Sequence, residues 1–232
     1  MNPRRLRAVV FDLDDTLFPQ AQWLAGAWKA VAAAASRQGV DPGALEARLV
    51  EEAAAGSGRG GIIDRALASV PGGSGVSLAP LLEAFWNHRP EQLDAYPGVP
   101  EALEGLRHRA RLGLVTDGEP RGQRAKMEAA GVSTVFDAVV LSDELGREHR
   151  KPDPAPFRAV LERLGVEADE AVFIGDRPDK DVAGPAGVGM WTVRVRTGEY
   201  ADVPDVPKPW RSVPDVPAAV GLLDPWLDPP FR

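Results

Sequence analysis

From Tyr96 to Val195 the sequence alternates short apolar runs with longer helical stretches, and this rhythm fixes the class of fold. Helices are predicted over 100–109, 121–130 and 154–164, and strands over 111–116, 136–141, 170–175 and 190–195. Strands that alternate with helices pair in parallel, with the helices covering both faces of the sheet. An earlier apolar run, residues 6–11, reads as the first strand of the same α/β Rossmann-like sheet. Between it and Tyr96 the pattern is all helical. Residues 22–55 are Ala-rich and form helix readily. Asp41-Pro42 reads as an N-cap followed by proline at the first helical position. Residues 62–70 and 78–86 read as short helices between Gly-rich loops. The expected organisation is therefore a discontinuous core, 1–18 and 95–232, interrupted by a helical module over 19–94.

The first strand ends in Asp12, Asp14 and Asp15, three carboxylates within four positions. Acids so close destabilise one another and raise each other's pKa. A divalent cation relieves that repulsion, and hard oxygen ligands suit Mg²⁺. Three further strand ends carry polar residues: Thr116-Asp117, Lys151 in the loop after the third strand, and Asp176 with Asp181 after the fourth. Open parallel sheets bind their ligands at the carboxyl ends of the strands. The four segments are thus expected to converge. Taken singly each has a plainer reading: an Asp-x-Asp pair caps or decorates a surface, Lys-Pro-Asp-Pro leads into a proline-started helix, Thr116 sits in a turn, and Asp181 caps a helix.

Composition narrows the function. The chain has no cysteine, which excludes disulfides, thiolate nucleophiles and Cys-based zinc sites, and its three histidines argue against a His-rich metal centre. A net charge of −7 argues against a nucleic-acid partner. No apolar run reaches the length of a membrane span. Residues 1–5 carry basic side chains, but a strand follows them instead of a signal-peptide apolar core. The protein is therefore expected to be cytoplasmic, with no membrane and no nucleic acid among its partners; a monomer or homodimer is expected. The tail after Gly198 is rich in proline (Pro204, Pro207, Pro209, Pro214, Pro217, Pro225, Pro229, Pro230). It is expected to run extended over the surface with one short helix over 215–223, pinned by Trp210 and Trp226.

Together the four polar segments resemble the haloacid dehalogenase superfamily of hydrolases. Asp12-Leu13-Asp14-Asp15-Thr16-Leu17 matches its first motif, Thr116 the second, Lys151 the third, and Gly175-Asp176 with Asp181 the fourth. The helical module resembles the family's type-1 cap. The resemblance implies an aspartyl-phosphate mechanism acting on a small phosphorylated metabolite. Asp12 would be the nucleophile. Asp14 would be the general acid and then the base, its carbonyl also ligating Mg²⁺. Asp176 would supply a further metal carboxylate, with Asp181 acting through water or a neighbouring ligand. Thr116, Lys151 and the backbone N–H groups of Leu13 and Asp117 would hold phosphoryl oxygens. Asp15, Asp153, Asp179 and the Asp117 side chain are expected to be structural.

Within the family an acid at position 14 marks a phosphatase, since halide leaves without protonation. A phosphomutase or phosphotransferase would use the same residues. A phospho-signalling receiver carries its acid after a middle strand, and a silent binding protein would not need every polar residue. Two departures from the family pattern stand out: the run 146–151 into Lys151 is about two residues longer than usual, and Pro185 is expected to end the helix after Asp181 early.

Overall fold

The computed structural model describes residues 2–3 and 5–228, so Met1, Arg4 and residues 229–232, the last two tail prolines among them, lie outside the described residues. The chain divides into two units, one of Met1–Gln20 with Gln92–Arg232, the other Ala21–Glu91. The first unit holds a six-stranded sheet: β1 (Ala8–Phe11), β2 (Arg111–Thr116), β3 (Ala138–Leu141), β4 (Ala171–Gly175), β5 (Trp191–Val195) and β6 (Arg211–Val213). All pairings are parallel, in the order β3-β2-β1-β4-β5-β6. The chain moves outward from β1 through β2 to β3, then returns to the other side of β1 as β4. The order thus reverses at the β1/β4 junction, the place where such sheets open a ligand crevice. The α/β fold class expected from the alternating pattern is the one observed.

Seven of the helices among the described residues are built on cues visible in the sequence. In the second unit lie most of α1 (Gln20–Ser36), α2 (Pro42–Ala54), α3 (Ile62–Ala68) and α4 (Leu78–Trp86). Asp41 caps α2, its carboxylate accepting from the Ala44 N–H at 2.7 Å, with Pro42 at the first helical position. The helices of this unit close on their own core of Trp28, Val31, Leu45, Leu49, Leu67 and Leu81. In the sheet unit α5 (Val99–Arg107) and α6 (Pro120–Ala129) precede and follow β2. Asp153 caps α7 (Pro154–Leu164), and α7 packs Phe157, Val160 and Leu164 onto β1, β2 and β4 through Val10, Val115 and Phe173. Burial of each such side chain contributes about 1.5–3 kcal/mol.

Two features differ from expectation. Residues 178–182 form a π-helical turn that runs directly into the short helix α8 (Ala183–Gly187), so Pro185 does not end the helix. It falls in the first turn of α8, where a missing N–H costs little. The tail does more than drape. Arg211–Val213 adds β6, an unexpected strand, in parallel to β5, whereas the short helix expected over 215–223 is present as α9 (Val216–Leu223), capped by Asp215 through the Ala218 N–H at 2.8 Å. Beyond α9 the Leu6 N–H donates to the Trp226 carbonyl at 2.8 Å. Trp191, Trp210 and Trp226 meet edge-on at 5.5 and 5.1 Å between successive ring centres, which fixes the tail to β5. Among the described residues no helix is long and apolar enough to cross a membrane.

Candidate active site

Register brings the four polar segments to one edge. Phe11 stands opposite Leu114 on one side and Ile174 on the other, so Asp12, one step further, emerges level with the ends of β2 and β4. Its N–H donates to the Ile174 carbonyl at 3.0 Å, which fixes the direction of its side chain. Asp12, Asp176 and Asp181 bring carboxylate oxygens within 4.8 Å of one another, and all three are buried. Gly175 makes this possible. A Cβ there would lie 2.5 Å from Asp181 Cγ, so only glycine lets Asp181 fold back over the end of β4. The Asp181 carboxylate also accepts the Arg177 N–H at 3.0 Å.

One cation serves this group among the described residues. Lys151, buried, places Nζ 2.5 Å from Asp12 and 2.8 Å from Asp181. Burial, outweighing Lys151 and reinforced by Asp181 and Asp14, pushes the Asp12 carboxyl up to about 7. Burial and then Asp181 and Asp12 raise Asp176 well above the usual carboxylate range. Burial opposes the charge on Lys151, but Asp12, Asp181 and Asp117 raise its pKa above the ordinary value. With all three carboxylates ionised, one ammonium leaves two negative charges over. The donor set is all hard oxygen, as Mg²⁺ requires, so the residues present fit that ion.

Asp117 acts from behind. Its Oδ1 accepts the Ser142 hydroxyl at 2.7 Å and the Lys151 N–H at 3.0 Å, and its Oδ2 accepts Lys180 Nζ at 2.8 Å. Burial would raise its pKa, but Lys151 and Lys180 outweigh burial and hold it below the ordinary value. The carboxylate thus anchors the backbone that presents Lys151. The longer run into Lys151 is taken up by a short turn over Arg147–His149 and by Arg150, which grips Asp143 with two bonds at 2.5 and 2.6 Å. Asp15 has φ of 55° and is tied to the tail: its Oδ1 accepts the Gln20 N–H at 2.9 Å, and its carbonyl accepts the Thr197 hydroxyl at 2.5 Å. Gly198, with φ of 64°, lies so near that a Cβ would sit 2.2 Å from Asp15 Cγ. Leu13, between Asp12 and Asp14 in sequence, is fully buried.

Asp14 faces elsewhere. Both of its oxygens lie 2.8 Å from Lys126 Nζ, and Oδ2 also accepts Gln123 Nε2 at 3.1 Å. The same amide donates to Thr116 Oγ1 at 2.5 Å. With an acceptor position so used, the Thr116 hydroxyl keeps its own proton for another oxygen. Lys126 and Gln123 escape a reading by motif because α6 looks like an ordinary polar helix. The available signal is geometric. Gln123 and Lys126 share one face at i, i+3 spacing, with Gly122 four residues before Lys126, on a helix that starts just past the end of β2.

Arg194 was also hidden, inside the apolar run of β5. It is fully buried, and its guanidinium donates to the Asp176 carbonyl (3.1 Å), the Val203 carbonyl (2.7 Å), the Tyr200 carbonyl (2.5 Å) and the Asp205 carboxylate (2.5 Å). The tail therefore supports the backbone of Asp176. Tyr200 also stacks under Arg177, 4.2 Å from ring centre to guanidinium carbon.

A buried acid cluster at a sheet's switch point, with a lysine across it, is matched by sequence as well. Residues 6–189 match the haloacid dehalogenase-like hydrolases. The chain belongs to this family. Among relatives of this hydrolase, a glyceraldehyde 3-phosphate phosphatase of Methanopyrus kandleri is 35% identical over 217 residues, covering 90% of this chain and 91% of the relative. A phosphoglycolate phosphatase of Rhodospirillum rubrum is 36% identical over 202 residues, covering 83% and 80%. A solved phosphatase of the same family from Thermococcus onnurineus superposes with a TM-score of 0.67 at 26% identity, covering 94% of this chain and 98% of its own. The family assignment read from the four motifs holds.

Proposed function

We propose that this hydrolase cleaves a small phosphate monoester with Mg²⁺ through a phosphorylated Asp12. The observation that carries the reading is the buried group of Asp12, Asp176 and Asp181 with its single lysine. The phosphatase names of relatives that cover most of the chain support the same reaction.

Asp12 attacks phosphorus; a bond forms from its Oδ to phosphorus while the ester P–O bond breaks. Asp14 gives its proton to the departing alkoxide, then as carboxylate takes a proton from the water that hydrolyses the acyl phosphate. Lys151, the Thr116 hydroxyl and the N–H groups of Leu13 and Asp117 hold phosphoryl oxygens. Asp12, Asp176 and the Asp14 carbonyl would hold Mg²⁺, with Asp181 supporting them. Bound there, the ion would neutralise the surplus charge of the acids and polarise the phosphoryl group. The contacts that tie these residues to other parts of the chain would pre-set their positions, and positioning is where most of the rate is gained in phosphoryl transfer.

On this reading the helical unit is a type-1 cap spanning about 19–94 that supplies substrate choice. The enzyme works on phosphorylated metabolites in the cytoplasm, as a monomer or homodimer. Three-carbon and two-carbon phospho-acids and phospho-aldehydes are the first substrates to try, since the relatives carry such names. The test is phosphate release from a panel of phosphorylated metabolites with Mg²⁺ present. Release from one or more small monoesters is expected. Transfer of the phosphoryl group to a sugar hydroxyl without release would instead establish a mutase, and inactivity on the whole panel would overturn the reading.

A further inference from the structure

We infer that Lys126, with Gln123, is the positioning residue for the acid/base Asp14, setting where the proton meets the leaving group. This rests on the reading of Asp14 as acid/base. Lysine is almost never buried unless it is paired. Lys126 is 3% exposed, and its ammonium reaches across from α6 to lie 2.8 Å from both oxygens of Asp14. Gripping both oxygens fixes the plane of the carboxylate as well as its position.

The grip answers a problem set by the sequence. Asp14 lies two residues from Asp12, whose neighbourhood carries surplus negative charge and would take a cation. A free carboxylate at Asp14 would turn toward that cation and become another ligand. The ammonium of Lys126 offers a competing charge on the opposite side, toward β2. Gln123 then ties the position to the phosphoryl seat. Its amide nitrogen bonds Asp14 and Thr116 together, so the hydroxyl that holds a phosphoryl oxygen and the carboxyl that protonates the ester oxygen keep a fixed offset. The amide nitrogen has two N–H groups, enough to donate to Asp14 and to Thr116 at once. In the first step the Asp14 proton passes to the alkoxide as the P–O bond breaks, and Lys126 then faces the carboxylate that remains.

Leaving groups separate this role from a structural one. A p-nitrophenolate departs with little need of a proton, whereas an alkoxide needs one. For kcat/KM, which reports the first phosphoryl transfer, Lys126→Met is expected to lose roughly 10²-fold on an alkyl phosphate. It is expected to lose only a few-fold on p-nitrophenyl phosphate. Lys126→Arg should restore most of the alkyl activity. The double variant Lys126→Met/Asp14→Asn should be no worse than Asp14→Asn alone. Gln123→Met removes no charge and should show the same selectivity to a smaller degree, which keeps the test open if Lys126→Met fails to fold. Equal losses on both substrates, or no loss on either, would overturn the proposal. If Asp14→Asn itself loses both substrates equally, the acid/base reading beneath it has failed instead.

Discussion

Asp12 and Asp14 lie two residues apart and each meets a buried lysine, yet the two pairs differ in charge balance. On the Asp12 side one ammonium is shared among carboxylates from β1 and from the turn after β4, in a group from which solvent is almost excluded. On the Asp14 side one ammonium faces one carboxylate that is 17% exposed, with an amide completing the contact. Surplus negative charge in a low-dielectric place demands a cation, and a matched pair does not. On the proposed reading the same residue types divide into a half that attracts metal and phosphorus and a half that handles protons.

Substitutions at these two acids should separate the halves most sharply. Asp12→Asn is expected to lower kcat on p-nitrophenyl phosphate by at least roughly 10³-fold, as loss of a nucleophile does. Its melting temperature should not fall, since the change removes a charge that burial disfavours. Activity within tenfold of wild type would break the assignment. Asp14→Asn should cost roughly 10²–10⁴-fold in kcat/KM on an alkyl phosphate. A loss of the same size on p-nitrophenyl phosphate would show that Asp14 does not protonate the leaving group.

The charge surplus also sets a pH dependence. Burial raises the Asp12 pKa to about 7 and lifts Asp176 well above its ordinary value. The metal-free native state therefore keeps protons that the unfolded chain releases near pH ~4, and its stability falls as the pH rises from ~4 to ~7. Mg²⁺ bound at these carboxylates would have to displace those protons. Stabilisation by Mg²⁺ should be slight at pH 5. At pH 8 it should reach about 2.7 kcal/mol at a hundredfold excess over Kd. Thermal melts with and without Mg²⁺ at both pH values measure this, and equal shifts would contradict it. The smallest expected effect lies at the tail. Asp205→Ala leaves the buried Arg194 with carbonyl partners only and should cost about 1–3 kcal/mol in denaturant unfolding. No change would mean that the tail does not brace Asp176.

How much of this was legible in the sequence follows from what each element buries. β1, β2, β4 and β5 are buried on both faces and read as apolar runs. β6 is a three-residue edge strand of Arg211, Ser212 and Val213 among prolines, mostly exposed, so nothing in its composition marks it. The motif acids could be found because chemistry requires them at strand ends. Lys126 and Gln123 could not, because the Asp14 they hold is far away in sequence: Lys126 is 112 residues from it. Arg194 carried a faint sign, a lone charge within Trp-Thr-Val-Arg-Val, which only a buried counter-charge such as Asp205 makes tolerable.

Mg²⁺ titration by calorimetry at pH 8 on the wild type, Asp12→Asn and Asp14→Asn tests the division of the cluster most directly. The wild type is expected to bind one ion per chain. Asp14→Asn, which keeps the carbonyl and loses only the side-chain charge held by Lys126, should bind it with unchanged affinity, and Asp12→Asn should bind it at least ~10-fold more weakly. Equal weakening by the two variants, or undiminished binding by Asp12→Asn, would contradict the account.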